Sequence, residues 1–268
     1  MIFNNMNDTE IQPILTSIIK EAGELVKEGF YTTKQISFKS PSDPVTNIDL
    51  ASETLIRERL GQYFPDIEIL GEEYGGNIIS DELRWVIDPI DGTRNFAAGI
   101  PHFCVSIGLV QGNNPVVGSI YDPIRDELFF SQSNQGATLN GESMQVSTKT
   151  NPGDFIIGLD IGRIDDKAIH AFKLIENLFP TMQCLRVFGS AALGMAYAAS
   201  GRIDIFLHHS LSPWDIAAGL LLVTESNGIT LDKATLKQAN LLTKGLLCSS
   251  EELLNIFLKM TENEKWYQ

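Results

Sequence analysis

Positive charge is scarce in this sequence. Lys and Arg number 20 against 34 Asp and Glu, a formal net charge of −14. A nucleic-acid surface needs a basic patch, so no nucleic-acid partner is expected. Cysteine is scarcer still. Cys104, Cys184 and Cys248 are odd in number, far apart and without a Cys-x-x-Cys pair. That excludes a disulfide framework and a zinc cluster, and reduced thiols in a cytoplasmic protein are expected. No apolar run is long enough to cross a bilayer, so no membrane partner is expected. Met1 to Asp8 lacks a basic stretch leading into an apolar one, so a secretory signal is not expected either. Repeats and low-complexity tracts are also missing.

What is present suits a folded protein. The chain has 268 residues, 43% hydrophobic and 20% charged, enough for one large domain or two packed halves. Apolar residues recur at helical spacing from Ile11 to Phe30, after a start near Asp8-Thr9-Glu10. Lys39 to Asn47 reads as a loop broken by Pro41 and Pro44. A helix from Ile48 to Leu60 ends near Gly61. Ile67–Leu70, Arg84–Ile87, Cys104–Val110, Pro115–Tyr121 and Glu127–Gln132 read as strands, with a hairpin over 136–141. Beyond residue 150, strands alternate with helices, which suggests helices layered on a sheet. The expected halves are 1–150 and 151–268, packed rather than tethered.

Asp88-Pro89-Ile90-Asp91-Gly92-Thr93 is the segment richest in chemistry. It follows an apolar strand and places two carboxylates at the strand's carboxyl end. Pro89 stiffens the turn and Gly92 allows tight backbone geometry. Thr93 is expected to cap a helix starting near Arg94. Free N–H groups at a helix start hold phosphate. Carboxylates beside such a nest imply hard cations between them and the anion. Asp43 and Asp49 flank Val45-Thr46, Glu72 and Glu73 follow a strand and Gly71, and Asp215 follows Trp214 at the start of an apolar helix. Each of these acids alone could be only a cap or a solvated side chain.

Together, the segments Asp43 to Asp49, Gly71-Glu72-Glu73, Trp85 to Thr93 and Trp214 to Gly219 resemble the inositol monophosphatase family in order and spacing. The resemblance covers nearly the whole chain. It implies an α/β fold, an alternating αβαβα layered sandwich with an antiparallel sheet in the first half and a mixed sheet in the second. It also implies a Mg²⁺-dependent phosphatase acting on a small phosphorylated metabolite, and a homodimer. One Mg²⁺ would be held by Glu72, Asp88 and the Ile90 carbonyl, and a second by Asp88, Asp91 and Asp215. A third, weaker ion would sit near Glu72. Gly92 and Thr93 would hold phosphate by backbone N–H. Thr93, bonded to Asp49, would act with Glu72 or Glu73 on the attacking water. Gly189, Ser190 and Ala191 match a segment beside the substrate.

Inositol-cleaving members carry a Glu seven residues before the second-motif aspartate, and that position is His208 here. Histidine can still bond a hydroxyl and can carry charge near neutral pH, or His208 and His209 could be a surface pair. Inositol-1-phosphate is the expected substrate. Fructose 1,6-bisphosphate, NADP and histidinol phosphate are the alternatives, and a non-catalytic metal- or phosphate-binding regulator is the rival class. Arg94 could meet a substrate anion or face solvent, and His102 is expected to be structural.

Overall fold

The computed structural model describes residues 11–40, 43–162, 165, 168–179, 181–262, 264 and 266. The expected helix start at residues 8–10, and Pro41, lie outside them. Five layers alternate. Helices α1 (Ile11–Phe30) and α2 (Asn47–Tyr63) cover one face of a seven-stranded sheet. That sheet has the order β3 (Glu68–Gly71), β4 (Leu83–Asp91), β5 (Cys104–Gln111), β6 (Asn114–Asp122), β7 (Glu127–Gln132), β8 (Ala137–Leu139), β9 (Glu142–Ser143). It is antiparallel except for the parallel β3–β4 pair.

Its other face meets a central helical layer, α5 (Ala191–Ala199) and α6 (Pro213–Glu225). Beyond that lies a five-stranded mixed sheet. Its order is β11 (Cys184–Arg186), β10 (Ile156–Asp160), β12 (Ile205–His208), β14 (Leu246–Ser249), β13 (Ile229–Asp232). β11, β10 and β12 run parallel, and β14 runs antiparallel to both neighbours. Helices α4 (Ala168–Leu178) and α7 (Glu251–Met260) close the outer face. Short helix α3 (Thr93–Ala98) follows β4.

The central layer can sit close to the first sheet because the touching residues are small. Gly108 and Gly118 of β5 and β6 face Ala217 and Ala218 of α6, and no Cβ would fit between them. No helix among the described residues is long and apolar enough to cross a membrane.

Four local expectations change. Residues 36–40 and 43–46 form a hairpin, β1 (Ile36–Ser40) and β2 (Asp43–Thr46), where a loop was expected. A two-stranded ribbon leaves outward N–H positions unpaired, so Pro44 costs no ladder bond. α2 runs through Gly61 to Tyr63, because one glycine costs only about 1 kcal/mol and the flanking Leu60 and Phe64 are buried. Thr93 is the first helical residue of α3, not its cap; Gly92 occupies the cap at φ 98°. β13 has no counterpart in the sequence reading.

Candidate active site

β4 does not stop at Asp88. It continues to Asp91 with an irregularity between Asp88 and Asp91, and such a bulge re-aims side chains. Both carboxylates are buried there, and Asp215 joins them from the first turn of α6. Ligand oxygens of Asp88, Asp91 and Asp215 lie within 4.8 Å of one another. Asp215 is fixed by a capping box, its Oδ2 accepting from Ser212 N at 2.7 Å. Asp88 Oδ1 accepts from Ile90 N at 3.1 Å. Asp91 is held by α5: Ser190 Oγ donates to its Oδ2, as does Ala192 N at 2.8 Å, and Ala191 N reaches Oδ1 at 3.3 Å.

These acids disturb one another. Burial pushes the Asp88 carboxyl well above its ordinary value, and the neighbouring Glu72, Asp91 and Asp215 charges push the same way. The Glu72 carboxyl rises to about 7, first through burial and then through Glu73 and Asp49, against the opposing pull of Lys39. Asp91 is raised by burial despite its donors. Several carboxylates in a low-dielectric site oppose ionisation unless a cation intervenes. All the converging donors are oxygens, the set suited to hard divalent ions rather than zinc or copper. The residues therefore fit a metal site.

Of the residues expected on the water side, Thr93 is bonded to Asp49, and Glu72 and Glu73 are bridged by Lys39. Thr93 Oγ1 lies 3.2 Å from Asp49 Oδ1 and 2.9 Å from the Ile90 carbonyl. Asp49 is buried and held by its own capping box, Oδ2 accepting from Thr46 N at 2.9 Å and Thr46 Oγ1 at 2.5 Å. Burial raises the Asp49 carboxyl, while Thr46 and Thr93 pull it down. Lys39 Nζ spans Glu73 at 2.7 Å and Glu72 at 3.0 Å.

Sequence reasoning missed several supports. Glu53, wholly buried, accepts from Glu73 N at 2.7 Å, Tyr74 N at 3.2 Å and Arg57 Nε at 2.8 Å, and so shapes the Glu72–Glu73 turn. Its spacing from Asp49 and Arg57, one helical turn each way, was a readable signal of a polar helix face. Asn95 Nδ2 donates to the carbonyls of His102 at 2.9 Å and Phe188 at 2.7 Å, tying α3 to the turn before α5. Lys39 carries no motif and gave no signal.

The expectation of a charged or surface His208 fails. His208 and His209 are 5% and 8% exposed. Burial, then His209 and Lys233, lower His208 to about 3, so it is neutral. Its Nδ1 accepts from Ser210 N at 3.2 Å, and its ring lies against Gly162. Arg94 leans onto the same loop, Nη1 donating to the Gly162 carbonyl at 2.8 Å. His102 stacks on Phe188 and is lowered to about 4 by burial, as a structural residue would be.

Comparison with known proteins fits this arrangement. The inositol monophosphatase family model matches residues 7–265. The chain belongs to the inositol monophosphatase family. It is therefore a phosphatase, a hydrolase of phosphoric monoesters, in a metal-dependent family. It is 41% identical over 231 residues to inositol monophosphatase 2 of Solanum lycopersicum, covering 83% of this chain and 87% of that protein. The structure of extragenic suppressor protein SuhB from Bartonella henselae superposes with TM-score 0.88 at 31% identity, covering 94% of this chain and 98% of that one. An inositol monophosphatase (IMPase) of Thermotoga maritima gives TM-score 0.83 at 29% identity, covering 94% and 98%. The α/β family fold expected from the motifs is the fold observed.

Proposed function

We propose that the protein hydrolyses inositol-1-phosphate, with tolerance for related sugar phosphates, and that its metal is Mg²⁺. The observation that supports this most is the oxygen triangle of Asp88, Asp91 and Asp215, beside Glu72 and the Gly92–Thr93 start of α3. Glu72, Asp88 and the Ile90 carbonyl are assigned to one ion, and Asp88, Asp91 and Asp215 to a second. A third would be weaker, near Glu72. Bound Mg²⁺ would neutralise phosphoryl oxygens, lower the pKa of a water and stabilise the leaving alkoxide.

The chain's own groups have defined tasks in this reading. Gly92 and Thr93 N–H groups grip the phosphate, and Gly92 alone among residues fits there: at φ 98° an added Cβ would meet the His102 carbonyl at 3.1 Å and the Gly189 carbonyl at 3.2 Å. Asp49, its second oxygen spent on Thr46, keeps Thr93 Oγ1 aimed, and the Thr93 oxygen orients the attacking water. Glu72 or Glu73 is assigned to take the water's proton. Gly189, Ser190, Ala191 and His208 are assigned to the alcohol side, where neutral His208 accepts or donates one hydroxyl hydrogen bond.

His208 in place of Glu favours a wider sugar-phosphate range as the second reading. A homodimer is inferred too: Ile169 and Phe172 of α4, with Phe179 and Val187, are each more than half exposed. Three unpaired cysteines suit a cytoplasmic setting. The test is Mg²⁺-dependent phosphate release from inositol-1-phosphate, fructose 1,6-bisphosphate, NADP, histidinol phosphate and a nucleoside 3′-phosphate. Inositol-1-phosphate should give the highest kcat/KM. Release from the nucleotide alone would defeat the sugar-phosphate reading, and release that survives chelation would defeat the metal roles.

A further inference from the structure

Asp160 ends β10 in the second sheet and has no part in the site described above. It is 2% exposed. Its Oδ1 accepts from Phe188 N at 2.9 Å and Gly189 N at 2.8 Å. The next three residues, Ser190, Ala191 and Ala192, all donate to Asp91. Five consecutive residues thus bridge two carboxylates, one from each sheet. The bridge is closely fitted. Gly189 sits at φ 75°, a Cβ there would lie 3.1 Å from Asn95 Nδ2, and Asn95 also takes the Phe188 carbonyl at 2.7 Å.

Asp160 is an expensive way to hold such a turn. Its Oδ2 is buried without a partner. A buried carboxylate with an unpaired oxygen lowers stability, and such groups in native proteins call for an explanation outside stability. The turn it holds is the one that presents Asp91 and the Gly189–Ala191 segment.

We propose that Asp160 is a positioning residue for the metal site: it locks the Phe188–Gly189 turn so that the first amides of α5 keep Asp91 in its ligand orientation, and so sets the metal site by the second sheet. This rests on the metal role assigned to Asp91. Two consecutive backbone N–H groups converge on one Asp160 oxygen, so truncation at 160 releases the turn and leaves Asp91 free to rotate. Supports behind a metal ligand typically contribute 10- to 100-fold in metal affinity.

The experiment is calorimetric titration of the full-length protein with Mg²⁺, paired with melting of the ion-free protein and with KM and kcat on the best substrate. Asp160→Ala should weaken Mg²⁺ binding by about 10-fold or more and raise KM more than it lowers kcat. Asp160→Asn keeps one accepting oxygen and removes the buried charge. It should lose less affinity than Ala while its ion-free Tm stays level or rises. Should the Ala variant not fold, the isosteric Asn variant decides. Wild-type Mg²⁺ affinity and KM in the folded variants, or a fall in Tm alone, would overturn the proposal. A wild-type protein that takes up no Mg²⁺ would instead overturn the metal assignment on which it rests.

Discussion

Gly118→Ala is a one-methyl test of how the central layer positions the site. The added Cβ would lie 2.7 Å from the Ala218 carbonyl oxygen and 3.0 Å from Ala218 Cα. Both are backbone atoms of α6, so no rotamer change relieves the contact. Carbon atoms pack best at about 3.5–4.0 Å, so α6 must lift from β6 by about 0.5–1 Å. Overpacking of this kind costs about 2–3 kcal/mol. Replacing a strand glycine returns about 0.5–1 kcal/mol of that. The net loss is about 1–2.5 kcal/mol, or a Tm lower by about 2–10 °C for a chain of this size. Asp215 lies one turn before Ala218, so it moves with the helix. Metal–ligand distances tolerate about 0.2 Å, so Mg²⁺ affinity should fall by about 10-fold or more. Thermal melting without ion and Mg²⁺ titration check both halves. A variant with wild-type Tm and wild-type Mg²⁺ affinity would show that α6 is not seated on β6 as described.

Other perturbations separate electrostatics from packing. Asp88→Asn removes a carboxylate opposed by burial and by its acidic neighbours; turnover and Mg²⁺ binding should vanish while the ion-free Tm rises, read by phosphate release and melting. pH gives a second handle. Glu72 moves from 4.5 to about 7 on folding, so between those values the folded protein keeps a proton that the unfolded chain has released. Its contribution to ion-free stability is therefore full below 4.5 and is lost as pH rises through 7, whereas Mg²⁺ affinity climbs over the same window; pH-series melts and titrations read the two opposite slopes. Glu53→Ala removes the acceptor of Arg57 Nε and of two backbone N–H groups, a loss of about 3–5 kcal/mol of stability, measurable by denaturant unfolding. Thr93→Val keeps shape but removes the hydroxyl between Asp49 and Ile90; kcat should fall by about 10²-fold with Mg²⁺ affinity little changed, and an unaltered kcat would remove Thr93 from the reaction.

Much of the candidate site was legible because most of its proposed ligands sit in contiguous motifs. Asp88, Asp91, Gly92 and Thr93 share one segment whose local chemistry marked them, whereas Asp215 alone could have been only a helix-start acid and entered through the family resemblance. What holds them did not show. Glu53, Asn95 and Asp160 each act on backbone groups 20 to 93 residues away, and no local pattern encodes such a partner. The bulge in β4 was hidden for a related reason: Pro89 reads as a strand terminator, yet pairing resumes at Asp91 opposite Cys104. The burial of His208 was hidden because two adjacent histidines look polar, whereas the register of β12 between β10 and β14 buries the first, and Lys233 Nζ reaches His209 Nδ1 at 2.7 Å to satisfy the second.

The layer order explains why an acidic protein can present a phosphate site. Asp88 and Asp91 come from the first sheet, and Asp215 and the amides that hold Asp91 come from the central helices. The carboxylates meet only because the small residues of α6 let it close on Gly108 and Gly118. Asp88 and Asp91 are then held by amides, a hydroxyl and a thiol, not by arginine or lysine, and Asp215 accepts from an amide in its capping box. Neutral donors fix position while leaving negative charge uncancelled. Lysine or arginine in those places would give a more stable ion-free protein and a weaker cation site. With the metal site proposed above, the arrangement trades stability for affinity toward a divalent ion, and the opposite responses expected of Asp88→Asn in melting and in Mg²⁺ titration follow from that one choice of partners.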